Sequence, residues 1–140
     1  MTKHVILIHG AFAGPWCLDT YKGFFETRGW TCHAPALRFH GGDPKADPGP
    51  AFADTSIADY TSDIAEFAAG LDSPPILLGH AVGGLVAQQV AARGLARGVV
   101  LINPNAAWGM LPETDDERAV ARAFMEMGPF WKEPMRIAFD

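Results

Sequence analysis

A chain of 140 residues holds one modest hydrophobic core and leaves no room for two full domains. With 49% apolar and 19% charged residues it has the make-up of an ordinary globular protein, and its formal charge of −5 makes nucleic acid and anionic membrane poor partners. Lys3, Arg28, Arg38, Arg93 and Arg97 are scattered rather than striped, no window reaches the ~18 apolar residues of a membrane span, and Cys17 and Cys32 make no disulfide framework, so a cytoplasmic protein with two free thiols is expected.

Val5 to Ile8, after Lys3, is too brief for the apolar region of a signal peptide. His4 to Ile8 is predicted as a strand: short, β-branched and continuously apolar, as suits a strand covered on both faces. A glycine-rich turn from His9 to Pro15 follows, then a helix over Trp16 to Arg28 that stops at Gly29. Trp30 to Leu37 reads as a second strand. Phe39 to Ala53, with Gly41, Gly42, Pro44, Pro48, Gly49 and Pro50, is a long excursion. An amphipathic helix is expected over Thr55 to Leu71, with Ile57, Tyr60, Ile64, Phe67 and Ala68 on one face and Asp54 or Thr55 as N-cap.

Pro74-Pro75 closes that helix and opens a short buried strand over Ile76 to Leu78. A sharp turn over Gly79 to Gly84 leads to a helix over Leu85 to Arg93, with Gly94 at its C-terminal stop, and Val99 to Ile102 is another all-apolar strand. After Asn103-Pro104 the texture changes to a helix over Glu113 to Met127 with an acidic start, and the beginning of another over Phe130 to Phe139. Alternating strands and helices imply an α/β fold, a parallel sheet with helices on both faces and ligand contacts beyond the carboxyl ends of the strands.

The chemistry centres on Leu77-Leu78-Gly79-His80-Ala81-Val82-Gly83-Gly84. A nucleophile elbow needs a strand, a strained turn and a helix, with small residues two before and two after the nucleophile because their backbones come close. Gly79 and Gly83 satisfy that spacing around Ala81, which carries a methyl group where the pattern G-x-S-x-G has a hydroxyl. A tight βα turn with no chemistry is the plainer alternative. The second motif weighs against it: about 70 residues earlier a buried strand ends in His9-Gly10-Ala11-Phe12. The loop there and the residue after the nucleophile each supply one oxyanion-hole amide in such sites, which assigns the backbone N–H groups of Ala11 and Val82, with Phe12 as the fallback for the first.

These motifs, the helix entry Gly14-Pro15-Trp16 and the strand end Asn103-Pro104 resemble the α/β-hydrolase superfamily, near its small esterase and hydroxynitrile-lyase-like members. The resemblance implies that residues 1–105 are the N-terminal part of an α/β-hydrolase core and 106–140 the beginning of a helical cap, with the remaining core, and a catalytic acid and histidine, outside this chain. All five histidines, His4, His9, His33, His40 and His80, lie at or before position 80, and Asp115, Asp116 and Asp140 fall in the cap-like tail.

The resemblance also implies a serine hydrolase acting on a carboxylic ester or lactone, here as an inactive serine-to-alanine form at residue 81. A non-catalytic small-molecule binder and a hydroxynitrile-lyase-like enzyme are the alternatives. The expected pocket comprises His9, His80, Trp108, Phe130 and Trp131, though His9 reads better as a brace for its loop, and helix-spaced Phe124, Met125, Met127, Phe130 and Trp131 suit a core equally well. His33, His40, Asp43 and Asp47 match no metal-ligand spacing. No metal or cofactor is expected. The expected partners are an ester-like substrate and the rest of the same protein, with self-association left open.

Overall fold

A computed structural model describes residues 2–43, 45–107 and 109–128. Four strands form one parallel sheet: β1 (His4–Ile8), β2 (Thr31–His33), β3 (Ile76–His80) and β4 (Gly98–Ile102), in the order β2-β1-β3-β4. Val5 to Ile8 of β1 are completely buried, as a strand covered on both faces must be, and period-two alternation divides them. Ile6 and Ile8 pack with Leu77 against α2 (Ile57–Ala69) and α3 (Val82–Ala92) through Tyr60, Ile64, Ala68, Val86 and Val90. Val5 and Leu7 face the other layer with Leu18 and Leu78, where α1 (Asp19–Glu26) contributes Phe25. Each such aliphatic side chain taken from water stabilises the fold by about 1.5–3 kcal/mol, so β1 is the spine of the core.

Several boundaries differ from the sequence reading for identifiable reasons. The strand expected over Trp30 to Leu37 is only Thr31–His33: pairing with β1 ends at Ile6↔His33, and Pro35 two residues on has no N–H to continue the ladder. The first helix is split into a 3-10 turn over Pro15–Leu18 and α1 proper, and Gly29 follows at φ 76°. The N-cap of α2 is Ser56, not Asp54 or Thr55. Its hydroxyl accepts from the Asp59 amide and the Asp59 carboxylate accepts from the Ser56 amide, a reciprocal capping box. Thr114 and Glu117 repeat that device at the start of α4 (Asp115–Glu126). The expected helix over Phe130 to Phe139 lies outside the described residues.

β3 runs two residues further than expected, to His80, and α3 begins at Val82 rather than Leu85. The whole strand-to-helix reversal is therefore made at Ala81. β4 is an outer strand, as is β2 at the other side, and Val99, Val100 and Leu101 are 37%, 44% and 40% exposed, a strongly apolar strand with one edge unpaired among the described residues. No described helix is long and apolar enough to cross a membrane.

Candidate active site

Ala81 has φ 52° and ψ −120°, a conformation in which an L side chain is strained by about 1–3 kcal/mol. Such a residue persists only if its surroundings hold it. The Ala81 amide donates to the carbonyl of Ile102 at 3.1 Å, and its own carbonyl accepts from Gly84 at 2.9 Å and Asn105 at 3.1 Å. The end of β4 and the first turn of α3 thus fix both sides of the strained residue. Asn103, at the end of β4, itself has φ 42°.

The flanking glycines are demanded by close approach. A Cβ on Gly79 would run into the Gly83 carbonyl oxygen and lie 2.6 Å from the Gly84 Cα. One on Gly83 would run into the Ile8 carbonyl oxygen and lie 2.5 Å from that of His9. Gly83 therefore seats the start of α3 against the end of β1, which brings the elbow beside the loop after β1. Gly10 completes this contact, since a Cβ there would sit 3.2 Å from the Cβ of Ala81 and 3.4 Å from the His80 Nδ1. Ile8 also pairs with Gly79, so the two strand ends that carry the motifs are neighbours in register.

Val82 is the first residue of α3, so its amide has no carbonyl one turn earlier within the helix to bind. Ala11 lies in the turn after β1, half-buried, with Phe12 beside it and 51% exposed. His80 is half-buried against Gly10. His9 is completely buried. Its Nε2 accepts from the Leu37 amide at 3.1 Å, so the neutral ring carries its proton on Nδ1, which donates to the Gly10 carbonyl at 2.8 Å. Burial pushes the His9 pKa down, in keeping with that neutral form. With both nitrogens engaged, His9 acts on the loop and not as a group open to a ligand. Trp108, Phe130 and Trp131, also expected in the pocket, lie outside the described residues.

The remaining candidates are occupied elsewhere. Asp43 and Asp47 accept from the amides of Lys45 and Gly49, and His33 faces His4 at 3.0 Å. Among the described residues no three His, Cys, Asp or Glu side chains are disposed to hold a metal. Burial raises the thiol pKa of both Cys17 and Cys32, which keeps them protonated and poorly nucleophilic. Asp115 pairs with Arg118 at 2.7 Å on α4.

The model of a family described as the alpha/beta hydrolase family matches residues 5–140. The chain belongs to the alpha/beta hydrolase family. Over 80 residues it is 35% identical to a pyrethroid hydrolase of Sphingobium wenxiniae, a match covering 57% of this chain and 27% of that protein. It is 37% identical over 84 residues to norfluorocurarine synthase 2 of Strychnos sp, covering 59% and 30%. Among solved structures, a pyrethroid hydrolase from Sphingobium faniae JZ-2 superposes with a TM-score of 0.66 at 28% identity, covering 84% of this chain and 48% of that one. The chain thus spans under half the length of each of these relatives. One has a hydrolase name and another a synthase name, so membership leaves the reaction to be argued from the site itself.

Proposed function

We propose that this chain forms the nucleophile side of a serine-hydrolase site for carboxylic esters or lactones, with Ala81 standing at the nucleophile position. The observation that carries the reading is the backbone of Ala81. A residue at φ 52° and ψ −120°, held from three directions and lodged between glycines that admit no Cβ, is an expensive arrangement whose use is to present one side chain at a strand end. The neighbouring loop supplies the other half of the frame. With a serine there, its oxygen would attack the ester carbonyl carbon while the amides of Val82 and Ala11 receive the developing oxyanion. The serine proton would pass to a histidine, which returns it to the departing alcohol as the ester C–O bond breaks, and water would then displace the acyl group from the serine as the free acid. Every histidine of this chain lies at or before position 80, so that base, and the acid that orients it, belong in this proposal to a further part of the protein.

Alanine at the centre favours a second reading, a binder that holds an ester or its acid without cleaving it. A methyl group has no lone pair, so neither attack nor an acyl intermediate is open to the chain as it stands. The test is turnover of a p-nitrophenyl ester by the full-length protein with and without Ala81→Ser. Release of p-nitrophenol by the substituted protein and none above buffer by the parent supports the hydrolase site. Binding of the ester by both, seen by calorimetry, with turnover by neither supports the binder.

A further inference from the structure

We propose that His40 is a positioning residue for the oxyanion loop, holding the Ala11 carbonyl and so fixing the far side of the residue whose amide is the assigned donor. This rests on the hydrolase reading above only for its catalytic consequence; the contact itself does not depend on it.

Two consecutive peptide groups of the loop after β1 are each held by an imidazole. The first, Gly10 C=O with Ala11 N–H, is held by the Nδ1–H of His9 at 2.8 Å. The second, Ala11 C=O with Phe12 N–H, faces the Nε2 of His40 at 2.8 Å. In a planar trans peptide the C=O and the N–H point in opposite directions. Fixing the Gly10 carbonyl inward therefore aims the Ala11 amide the other way, and fixing the Ala11 carbonyl aims the amide of Phe12. The two peptide planes that flank Ala11, the assigned donor, are thus held by two different histidines, and only His9 lies in the same motif. The Ala13 amide reaches the Gly10 carbonyl at 3.3 Å and closes the turn, whereas the Ala11 carbonyl is met by His40.

His40 is well placed for this task. It sits in the long β2–α2 connection, and its ring contacts three others: His9 at 5.3 Å between centroids, Phe52 at 5.8 Å and Tyr60 of α2 at 6.0 Å. Its Nδ1 lies 2.7 Å from the Arg38 carbonyl. Arg38 is in turn clamped to α2, with Nε and Nη2 on the two Asp63 oxygens at 2.6 and 2.8 Å and Nη1 on Asp59 at 3.2 Å. A path of direct contacts thus runs from α2 through Arg38 and His40 to the Ala11 carbonyl. Both nitrogens of His40 face carbonyl oxygens, which only accept. A neutral ring donates to one of them, and the imidazolium donates to both. The proposal requires that the Nε2 proton be present.

The experiment has two arms on the full-length protein. Two-bond nitrogen–proton NMR spectra of the His40 ring read which nitrogen carries hydrogen. A protonated Nε2, with the Ala11 carbonyl carbon and Phe12 amide signals moving in His40→Phe, supports the proposal. A bare Nε2, or unmoved signals, overturns it whatever the enzyme does. In the second arm His40→Phe and His40→Gln are compared in the Ala81→Ser background. Phenylalanine keeps a ring against Phe52 and Tyr60 but donates nothing, whereas glutamine restores a donor. Loss of an oxyanion donor outright costs roughly a hundred- to a thousandfold in kcat, so loosening one is expected to cost about ten- to a hundredfold with KM within about twofold, and His40→Gln to recover part of it. A rise in KM at constant kcat, or equal damage from both variants, would count against a role in the transition state. Absence of any turnover in the Ala81→Ser background speaks against the hydrolase reading, and the spectra alone then decide the role of His40.

Discussion

At the scale of single residues, the strain at Ala81 makes a direct statement about stability. Glycine tolerates φ 52° and ψ −120° without a Cβ penalty, although it gives more freedom to the unfolded chain. Relief of about 1–3 kcal/mol of strain against about 0.4–1 kcal/mol of extra chain entropy leaves Ala81→Gly more stable by about 1 kcal/mol, read as a raised denaturation midpoint at unchanged slope. A loss of stability would show that the Ala81 methyl group is a packing element and not a presented one. Gly83→Ala is expected to act in the opposite sense. Its Cβ would meet the backbone oxygens of Ile8 and His9, which have little freedom to retreat, so a loss of at least about 2–3 kcal/mol should appear in the same measurement. The glycine spacing made this part of the site legible in sequence, because close backbone approach leaves no other residue type. His40 was not legible in that way. Its partner is a carbonyl 29 residues away, and no spacing rule records a contact made across two loops.

Among the elements, β4 is the one at odds with its surroundings. Outer strands normally carry charge or proline that discourages pairing with another chain, but Val99, Val100 and Leu101 offer only apolar side chains. This 140-residue chain taken alone should therefore self-associate, and Val100→Lys should shift its size-exclusion profile toward monomer without lowering the melting temperature by more than a few degrees. A profile already monomeric before the substitution would contradict that. Continuous apolar runs made β1, β3 and β4 readable from sequence, and helical periodicity did the same for α2. Boundaries were harder where a local event outweighs pattern. Pro35 ends β2 early, the Leu37 amide goes to a histidine ring and not to a strand, and one residue at positive φ lets α3 start three residues sooner than expected.

For the whole molecule, pH links the site to the stability of the fold. Burial is the largest cause of the lowered pKa of both His9 and His33, with His40 and His4 respectively adding repulsion, so each binds a proton more readily in the unfolded chain than in the native one. The unfolded state then takes up protons first as pH falls below the ordinary value of 6.5, and native stability declines from there. Asp59 and Asp72 are held below the usual carboxylate range, chiefly by hydrogen bonds from Ser56 and from Thr2 respectively, and add a further loss at more acid pH as they are protonated. Thermal melts between pH 7.5 and 5 should thus fall, and His33→Gln should flatten the fall; an unchanged melting temperature across that range would contradict the assignment. The central claim, that residue 81 is a presented nucleophile position facing an oxyanion frame, is tested most directly by covalent capture. A fluorophosphonate bonds to a serine oxygen with loss of fluoride when the developing charge on phosphorus-bound oxygen is received by a working oxyanion hole. Intact-mass and peptide mass spectrometry of the full-length protein carrying Ala81→Ser should find one phosphonyl adduct, on the peptide spanning position 81, and none on the parent. A folded Ala81→Ser protein that takes up no reagent there would contradict the account.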